Sequence, residues 1–353
     1  MLGRNGGRLR SVGGRRISIR DVAREAGVSV TTVSHALNDK GRLHPETRAR
    51  VRDVAQRLGY RPNPAARSLV SGRTGLVAVM ASLPSGVNAE VGDFGYFADL
   101  IGGATGVAVA HDVALVVAPS VTDRGAGDPF VWDRIPLDGV VVAGPMRGDP
   151  TLAALRERAI PFVTIGRDPD GGSDAVVEPD DGGGTRAILD HLREAGAERP
   201  GLIALPPLYA STTDTAAAYE AWCADSGTPG AMTIAGISDL LRDRRGTIEA
   251  AVEELLARGV DAIHCPVEQL GMAALAALEA RGLTIPSDLL LSTTNDAGRA
   301  EVASVPVTTL DTDHAELGRL AVEVLLELLE GSRTPPLRVR VPTHLSPRAS
   351  TRA

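Results

Sequence analysis

Cysteine is scarce in this chain. Cys223 and Cys265 are the two in 353 residues, and they lack ligand-like spacing, which fits a reducing cytoplasm and ordinary buried thiols. No apolar run is long enough to span a bilayer. Residues 1–16 are Gly- and Arg-rich without an apolar core segment, so they read as a disordered basic tail and not as a signal peptide. Catalytic signatures are missing too: there is no His-Glu-x-x-His, no Gly-x-Ser-x-Gly and no Gly-x-x-x-x-Gly-Lys-Ser/Thr, which argues against an enzyme. The seven histidines are scattered, so neither a metal site nor a cofactor is expected. Asp180-Asp-Gly-Gly-Gly184 stands where a helix start could hold phosphate. Its two aspartates would repel that anion, and an ordinary strand-to-helix turn is the reading.

Positive charge is lacking overall, but unevenly. The net charge is −7; residues 1–74 hold 16 Lys+Arg against 5 Asp+Glu, net +11, leaving 21 against 39, net −18, in the remainder. A basic head on an acidic body is an electrostatic footprint for DNA at one end only.

Within that head, Ile17 to Asn38 reads as two short helices and a tight turn. Ser18 can cap the first helix with Asp21 three residues on, Val22, Ala23 and Ala26 form its apolar stripe, and Gly27 ends it. Ser29 can cap the second, with Thr32 in its first turn. Val33, Ala36 and Leu37 face inward at helical spacing, which leaves Val30, Thr31, Ser34 and His35 outward. A third helix is expected from Pro45 to Leu58, with Gly59 past its end. Asn63 and Pro64 can start a fourth, short helix over Pro64 to Val70. Steeply crossed helices with a short polar outer face make a helix-turn-helix.

From Thr74 the texture changes. Strand-like runs at 76–80, 114–118, 139–143, 162–165, 175–177, 202–205, 232–235, 262–264, 289–291 and 337–341 alternate with helical runs at 96–110, 151–158, 183–195, 213–225, 247–258, 269–279 and 314–330. Such alternation implies parallel sheets covered by helices on both faces. About ten strands exceed one comfortable sheet, so two lobes are expected, with a small-molecule cleft between them at the carboxyl ends of the strands.

The segments DVAREAGVSVTTVSHALN, HPETRARVRDVAQRLGYRPN and AARSL closely resemble the DNA-binding headpiece and hinge of the lactose-repressor (LacI/GalR) family over Ile17 to Ser71. The rest resembles that family's effector-binding core more loosely, down to the closing Leu345-Ser-Pro-Arg-Ala-Ser350. The implied fold is an all-α helix-turn-helix headpiece plus an α/β periplasmic-binding-protein-like core of two doubly wound parallel-sheet lobes. The expected segments are a tail over 1–16, a headpiece over 17–62, a hinge over 63–74, a core over 75–345 and a C-terminal tail over 346–353.

The resemblance implies that Val30, Thr31 and His35 read base edges. Val30 suits a thymine methyl and His35 a purine acceptor. Leu69 would wedge into the minor groove, with Ala66 and Arg67 on the same hinge helix. Ser18, Ser29, Thr32, Ser34, Asn38, Lys40, Arg42, Tyr60, Arg61 and Asn63 are expected at the DNA backbone. In the body, Tyr96 and Phe97 match the family's aromatic pair and could stack on a ligand or pack in the core. Arg167 and Asp168 could hydrogen-bond a polar ligand, pair with each other or face solvent. Ser211, Thr215 and Asn295 complete the expected effector residues. Thr215 replaces a clamping arginine common in the family, and Asn295 replaces the first of two aspartates, so a sugar or another polar metabolite stays open. The implied regulator is a cytoplasmic homodimeric repressor on a palindromic double-stranded DNA operator, with no membrane partner and no heptad zipper behind the body. Activation, effector-independent regulation, and a soluble binding protein whose head is an interaction module remain alternatives.

Overall fold

A computed structural model describes residues 17–37, 41–60, 72–82, 94–118, 131–295 and 298–352. The chain divides into two compact units, Met1–Thr74 and Gly75–Ala353.

The first unit holds three helices, α1 (Ile19–Ala26), α2 (Val30–Leu37) and α3 (Pro45–Arg57). Ser18 closes α1 with the expected capping box: its Oγ accepts the Asp21 amide, and its own amide donates to the Asp21 carboxylate at 3.0 Å. Gly27 ends the helix at φ +64°, a left-handed turn that costs glycine least. The Thr32 amide donates to Ser29 Oγ at 3.0 Å, which satisfies an orphan donor of α2. Val22, Ala23, Ala26, Val33, Ala36, Val51, Val54 and Ala55 are buried together. The short fourth helix expected over Pro64–Val70 lies outside the described residues.

The second unit contains two six-stranded sheets. The first is built from β1 (Leu76–Ala81), β2 (Ala114–Val117), β3 (Gly139–Ala143), β4 (Phe162–Ile165), β5 (Ala175–Pro179) and β11 (Leu337–Val341), in the order β11-β5-β4-β3-β1-β2 and entirely parallel. The second is built from β6 (Pro200–Ala204), β7 (Ala231–Ile234), β8 (Ala262–Cys265), β9 (Leu290–Thr294), β10 (Thr308–Thr312) and β12 (Thr343–Ser346). Its order is β12-β10-β9-β8-β6-β7, parallel except where β12 runs against β10. Runs such as GVVVA in β3 are buried at every residue, as strands covered on both faces must be.

Helices α4 (Phe94–Ala110), α5 (Val131–Arg134) and α6 (Pro150–Glu157) belong to the first lobe. The second lobe carries α7 (Asp181–Glu194), α8 (Ala210–Ser226), α9 (Ile237–Ala257) and α10 (Glu268–Ala280). Helix α11 (His314–Glu330) follows the second lobe's β10 but packs against α4, β3, β4 and β5 of the first. The chain therefore passes between lobes three times: from β5 into α7, from β10 into α11, and from β11 into β12.

Three features differ from the sequence expectations. Strands β10 (TTLDT) and β12 (THLS) are too polar to show an apolar run. The residues of β10 are nevertheless buried at Thr308 and Thr309, with Thr308 Oγ1 bonded to Thr351 Oγ1 at 2.6 Å. Helix α9 starts ten residues before the expected 247, because a helical turn precedes the break at Asp243 (φ −153°). The end of the chain, expected as a tail over 346–353, is instead part of the core. Ala349–Thr351 forms a 3₁₀ turn, Ser350 and Thr351 are buried, and the Ser350 hydroxyl donates to the Leu291 carbonyl at 2.5 Å.

Candidate functional site

The outward face of α2 is the first candidate. Burial of Val33 and Ala36 fixes the helix's rotation. That leaves Val30 (42% exposed), Thr31 and His35 open on one side. An exposed valine beside a threonine and an imidazole offers one methyl surface and two hydrogen-bonding groups, the mix that reads base edges. Gly41 (φ +73°) lies beneath His35; a Cβ there would come within 2.8 Å of its Nδ1, so a glycine lets the ring lie close to the turn. Ser18 and Ser29 cap the two helices that flank this face, and Thr32 and Ser34 are half-buried. Arg42 is exposed, while Tyr60 is half-buried with its amide donating to Ala55 at 2.9 Å. Asn38, Lys40, Arg61, Asn63, Ala66, Arg67 and Leu69 lie outside the described residues.

The second candidate is a cavity of about 710 Å³ between the lobes of the second unit, at the carboxyl ends of the strands. Tyr96, Phe97, Arg167, Ser211, Thr215 and Asn295 all line it. Asp168 does not: it is buried and paired with Arg156 Nη2 at 2.7 Å, and its other oxygen accepts the Asp170 amide at 3.0 Å. Arg167 and Asp168, adjacent in sequence, thus diverge. Arg167 donates through Nη2 to Asp214 of the opposite lobe, while its Nε lies 3.2 Å from Glu178, an ion pair without hydrogen-bond geometry. Glu178, itself buried, also takes the Nε of Arg338.

Further hydrogen bonds tie the lobes. The Tyr209 hydroxyl donates to the Ser82 carbonyl at 3.2 Å, and the Arg147 amide donates to the Leu208 carbonyl at 2.8 Å. Asp181 lines the cavity at the first turn of α7. Burial, then the nearby carboxylates of Asp214, Glu178 and Asp180, push it up to about 7 against the opposing pull of Arg167. Burial, with a contribution from Asp181, raises Tyr96 as well. The Tyr96 ring meets His314 edge to face at 4.6 Å and 80°. His314 Nε2 donates to Asn295 Oδ1 at 3.2 Å, which holds a residue already in the left-handed region (φ +62°). Behind the wall, buried His264 lies 3.0 Å from Ser292 Oγ and 3.3 Å from the cavity-lining Thr294 Oγ1; burial lowers it to about 4.

The sequence reading did not name Glu178, Tyr209, Asp214, Thr294 or His314 for the cavity, and it took Asp181, within Asp180–Gly184, for part of an ordinary strand-to-helix turn. Four of them could have been found by taking polar residues at or just past strand ends: Glu178 on β5, Asp181 just after it, Thr294 on β9 and His314 after β10. Asp214 and Tyr209 carry no such signal, because they sit at a helix start that tertiary packing aims at the cavity. Among the described residues, no group of three or more His, Cys, Asp or Glu is placed to hold a metal ion, and no helix is long and apolar enough to cross a membrane.

Comparison with known proteins completes the picture. Residues 18–63 match the model for bacterial regulatory proteins of the lacI family, and residues 189–351 match a periplasmic binding protein-like domain. The HTH-type transcriptional regulator CelR of Thermobifida fusca is 30% identical over 344 residues, which cover 95% of this chain and 98% of that one. The probable HTH-type transcriptional repressor ExuR of Bacillus subtilis is 24% identical with the same coverage. Among solved structures, a CelR–cellobiose complex superposes with a TM-score of 0.69 at 26% identity, covering 95% of this chain and 100% of that one. A lac repressor dimer bound to operator and an anti-inducer superposes with a TM-score of 0.75 at 21% identity, covering 96% and 100%.

Proposed function

The chain belongs to the LacI family of bacterial transcriptional regulators, and from that premise we propose that it acts as a dimeric repressor whose grip on a palindromic operator is set by a small molecule between its lobes. The DNA-binding regulator is what the family establishes. The dimer, the palindrome and the effector go beyond it and belong to the proposal.

The observation that carries the reading is the α2 face: Val30, Thr31 and His35 stand exposed together on a helix whose other side is fixed by the core. Lys40, Arg42 and Arg61 with the capped helix starts would hold phosphates and set register, and Val30, Thr31 and His35 would then sample base edges. A hinge helix over Pro64–Val70 is too short to persist alone in water, so it would order when two copies pair on the operator and insert Leu69 together. Two neighbours support this picture by analogy: the lac repressor was solved as a dimer on its operator, and CelR with cellobiose. The cavity's position between lobes joined by three crossovers supports the effector. A ligand seated there biases how the first lobes are held, and with them the hinge.

The test is to sequence the DNA fragments that the purified protein retains and to weigh the complex formed. The expected result is one inverted-repeat motif bound by two chains, with affinity falling steeply as salt rises. Retention of no duplex at low ionic strength would refute the reading. The position of the motif relative to the promoter distinguishes repression from activation.

A further inference from the structure

The inter-lobe cavity has a charge pattern that the effector reading leaves unused. Its lining includes Glu178, Asp181 and Asp214 but, among the described residues, one Lys or Arg side chain, that of Arg167. Arg167 is already engaged, through Nη2 to Asp214 and through Nε beside Glu178. Glu178 is further neutralised from the surface by Arg338. That accounts for two of the three carboxylates. The third, Asp181, opens on the cavity with no side-chain hydrogen bond or ion pair from the described residues.

The groups around Asp181 sharpen the pattern. Asp180 precedes it, Glu178 comes from β5, Asp214 from α8 and Arg167 from the turn after β4; Tyr96 faces it from α4, and His314 packs on Tyr96. Three of these are anionic and one is cationic. A carboxylate or phosphate on a ligand would meet this wall without a cation to spare for it. A positive group would meet a carboxylate that no described side chain hydrogen-bonds, in a cavity that the Tyr96 ring also lines, an arrangement that favours ammonium. The remaining lining is mostly apolar, with Phe97, Leu205, Val267 and Leu310 among it, which suits a ligand with a compact or ring-shaped body.

We propose that the cavity takes a ligand bearing a primary amine, whose ammonium is held by Asp181 against the Tyr96 ring. This rests on the effector reading, and deepens it by naming the ligand's chemical class. Because burial and neighbouring acids let Asp181 keep its proton up to about pH 7, the ammonium and the proton compete for one carboxylate. Affinity for an amine therefore falls as pH drops below that value, and binding at pH 6 releases a proton.

Two matched probe sets test this on the purified full-length protein by calorimetry and thermal shift. One set is glucosamine, N-acetylglucosamine, glucose and glucuronate; the other is tyramine, N-acetyltyramine and hydroxyphenylacetate. The expected result is that within at least one set the amine binds, its N-acetyl form and its acid analogue do not, and its affinity weakens from pH 8 to pH 6. Asp181→Asn, which keeps size and shape, should weaken the amine by about tenfold or more, with its own melting curve reporting that it is folded. If a neutral or acidic member binds in preference to the amine, or the amine binds Asp181→Asn undiminished, the charge assignment is overturned and the effector reading stands. If no member of either set binds at any pH, the amine class and the cleft reading both fall.

Discussion

Replacing Gly318 with alanine should loosen the first lobe, although alanine is the better helix former. Gly318 is buried on α11 where that helix crosses α4. A Cβ built there would lie 2.0 Å from the carbonyl oxygen of Leu100 and 2.8 Å from its carbon. The contact is reciprocal, since a Cβ on Gly103 would lie 1.8 Å from the Ala315 carbonyl oxygen. Both obstacles are backbone, so no rotamer relieves them; the two helices must move apart by roughly 1 Å to reach ordinary contact. Overpacking of this kind costs about 1–3 kcal/mol, and the helix-propensity gain of alanine over glycine returns about 1 kcal/mol. Because both obstacles are backbone, the upper end of that range applies and the net is a loss of about 2 kcal/mol. For a unit of this size that is roughly 4–8 °C of melting temperature. The control is Gly106→Ala on α4, exposed and with no heavy atom within 4 Å of the added carbon; it receives the propensity gain alone and should melt at or above the parent temperature. Scanning calorimetry on the ligand-free protein reads both. A Gly318→Ala protein as stable as its parent, alongside a normal Gly106→Ala, would refute the close-crossing argument. The same substitution should weaken effector binding, because α4 and α11 carry the paired rings of Tyr96 and His314 at the cavity.

Three further outcomes are expected. Replacing His35 should change which base pair is preferred at one operator position by about 1–3 kcal/mol, read by selection from random duplexes; an unchanged motif would remove His35 from the readout. Replacing Leu69 with alanine should reduce specific binding far more than nonspecific binding, measured as the ratio of operator to random-duplex affinity, and equal loss on both would count against the wedge. Stability should depend on pH through two buried groups of opposite sign. His264 is held neutral well below its ordinary range, so its contribution is present above about pH 6.5 and is lost as pH falls toward 4. Asp181 is raised to about 7, so the folded protein gains stability by holding that proton, and loses it as pH rises from about 4 through 7. Asp181→Asn should therefore stabilise the protein more at pH 8 than at pH 5 in parallel urea titrations; an equal effect at both would contradict the assigned shift.

The headpiece was legible because its signals are local. Capping at Ser18 and Ser29, the left-handed Gly27 and helical spacing of small apolar residues each act within four or five positions. The body's alternation was equally plain wherever a strand is an apolar run, as in β1 and β3. It failed where a strand is buried yet polar. Thr308 of β10 is satisfied by Ser350 and Thr351, some forty residues on, and no local pattern reports a partner so distant. The cavity followed the same division. Its location at the strand ends could be inferred from the alternation, and six of the seven residues named from sequence line it. Asp168 turned away because Arg156, on another element, claims it, and Asp214 was missed because only packing aims the start of α8 across the cleft.

The second lobe crossing, from β10 into α11, has a consequence for synthesis. Strand β11 completes the edge of the first sheet beside β5, and α11 covers its face, yet both are encoded after nearly all of the second lobe. On a ribosome adding about 5–20 residues per second, residue 341 follows residue 180 by on the order of ten to thirty seconds. During that interval the nascent first lobe exposes an unpaired β5 and the bare apolar flank of α4. The lobe first translated therefore stays open for most of the chain's synthesis and closes only just before β12 and the 349–351 turn complete the second.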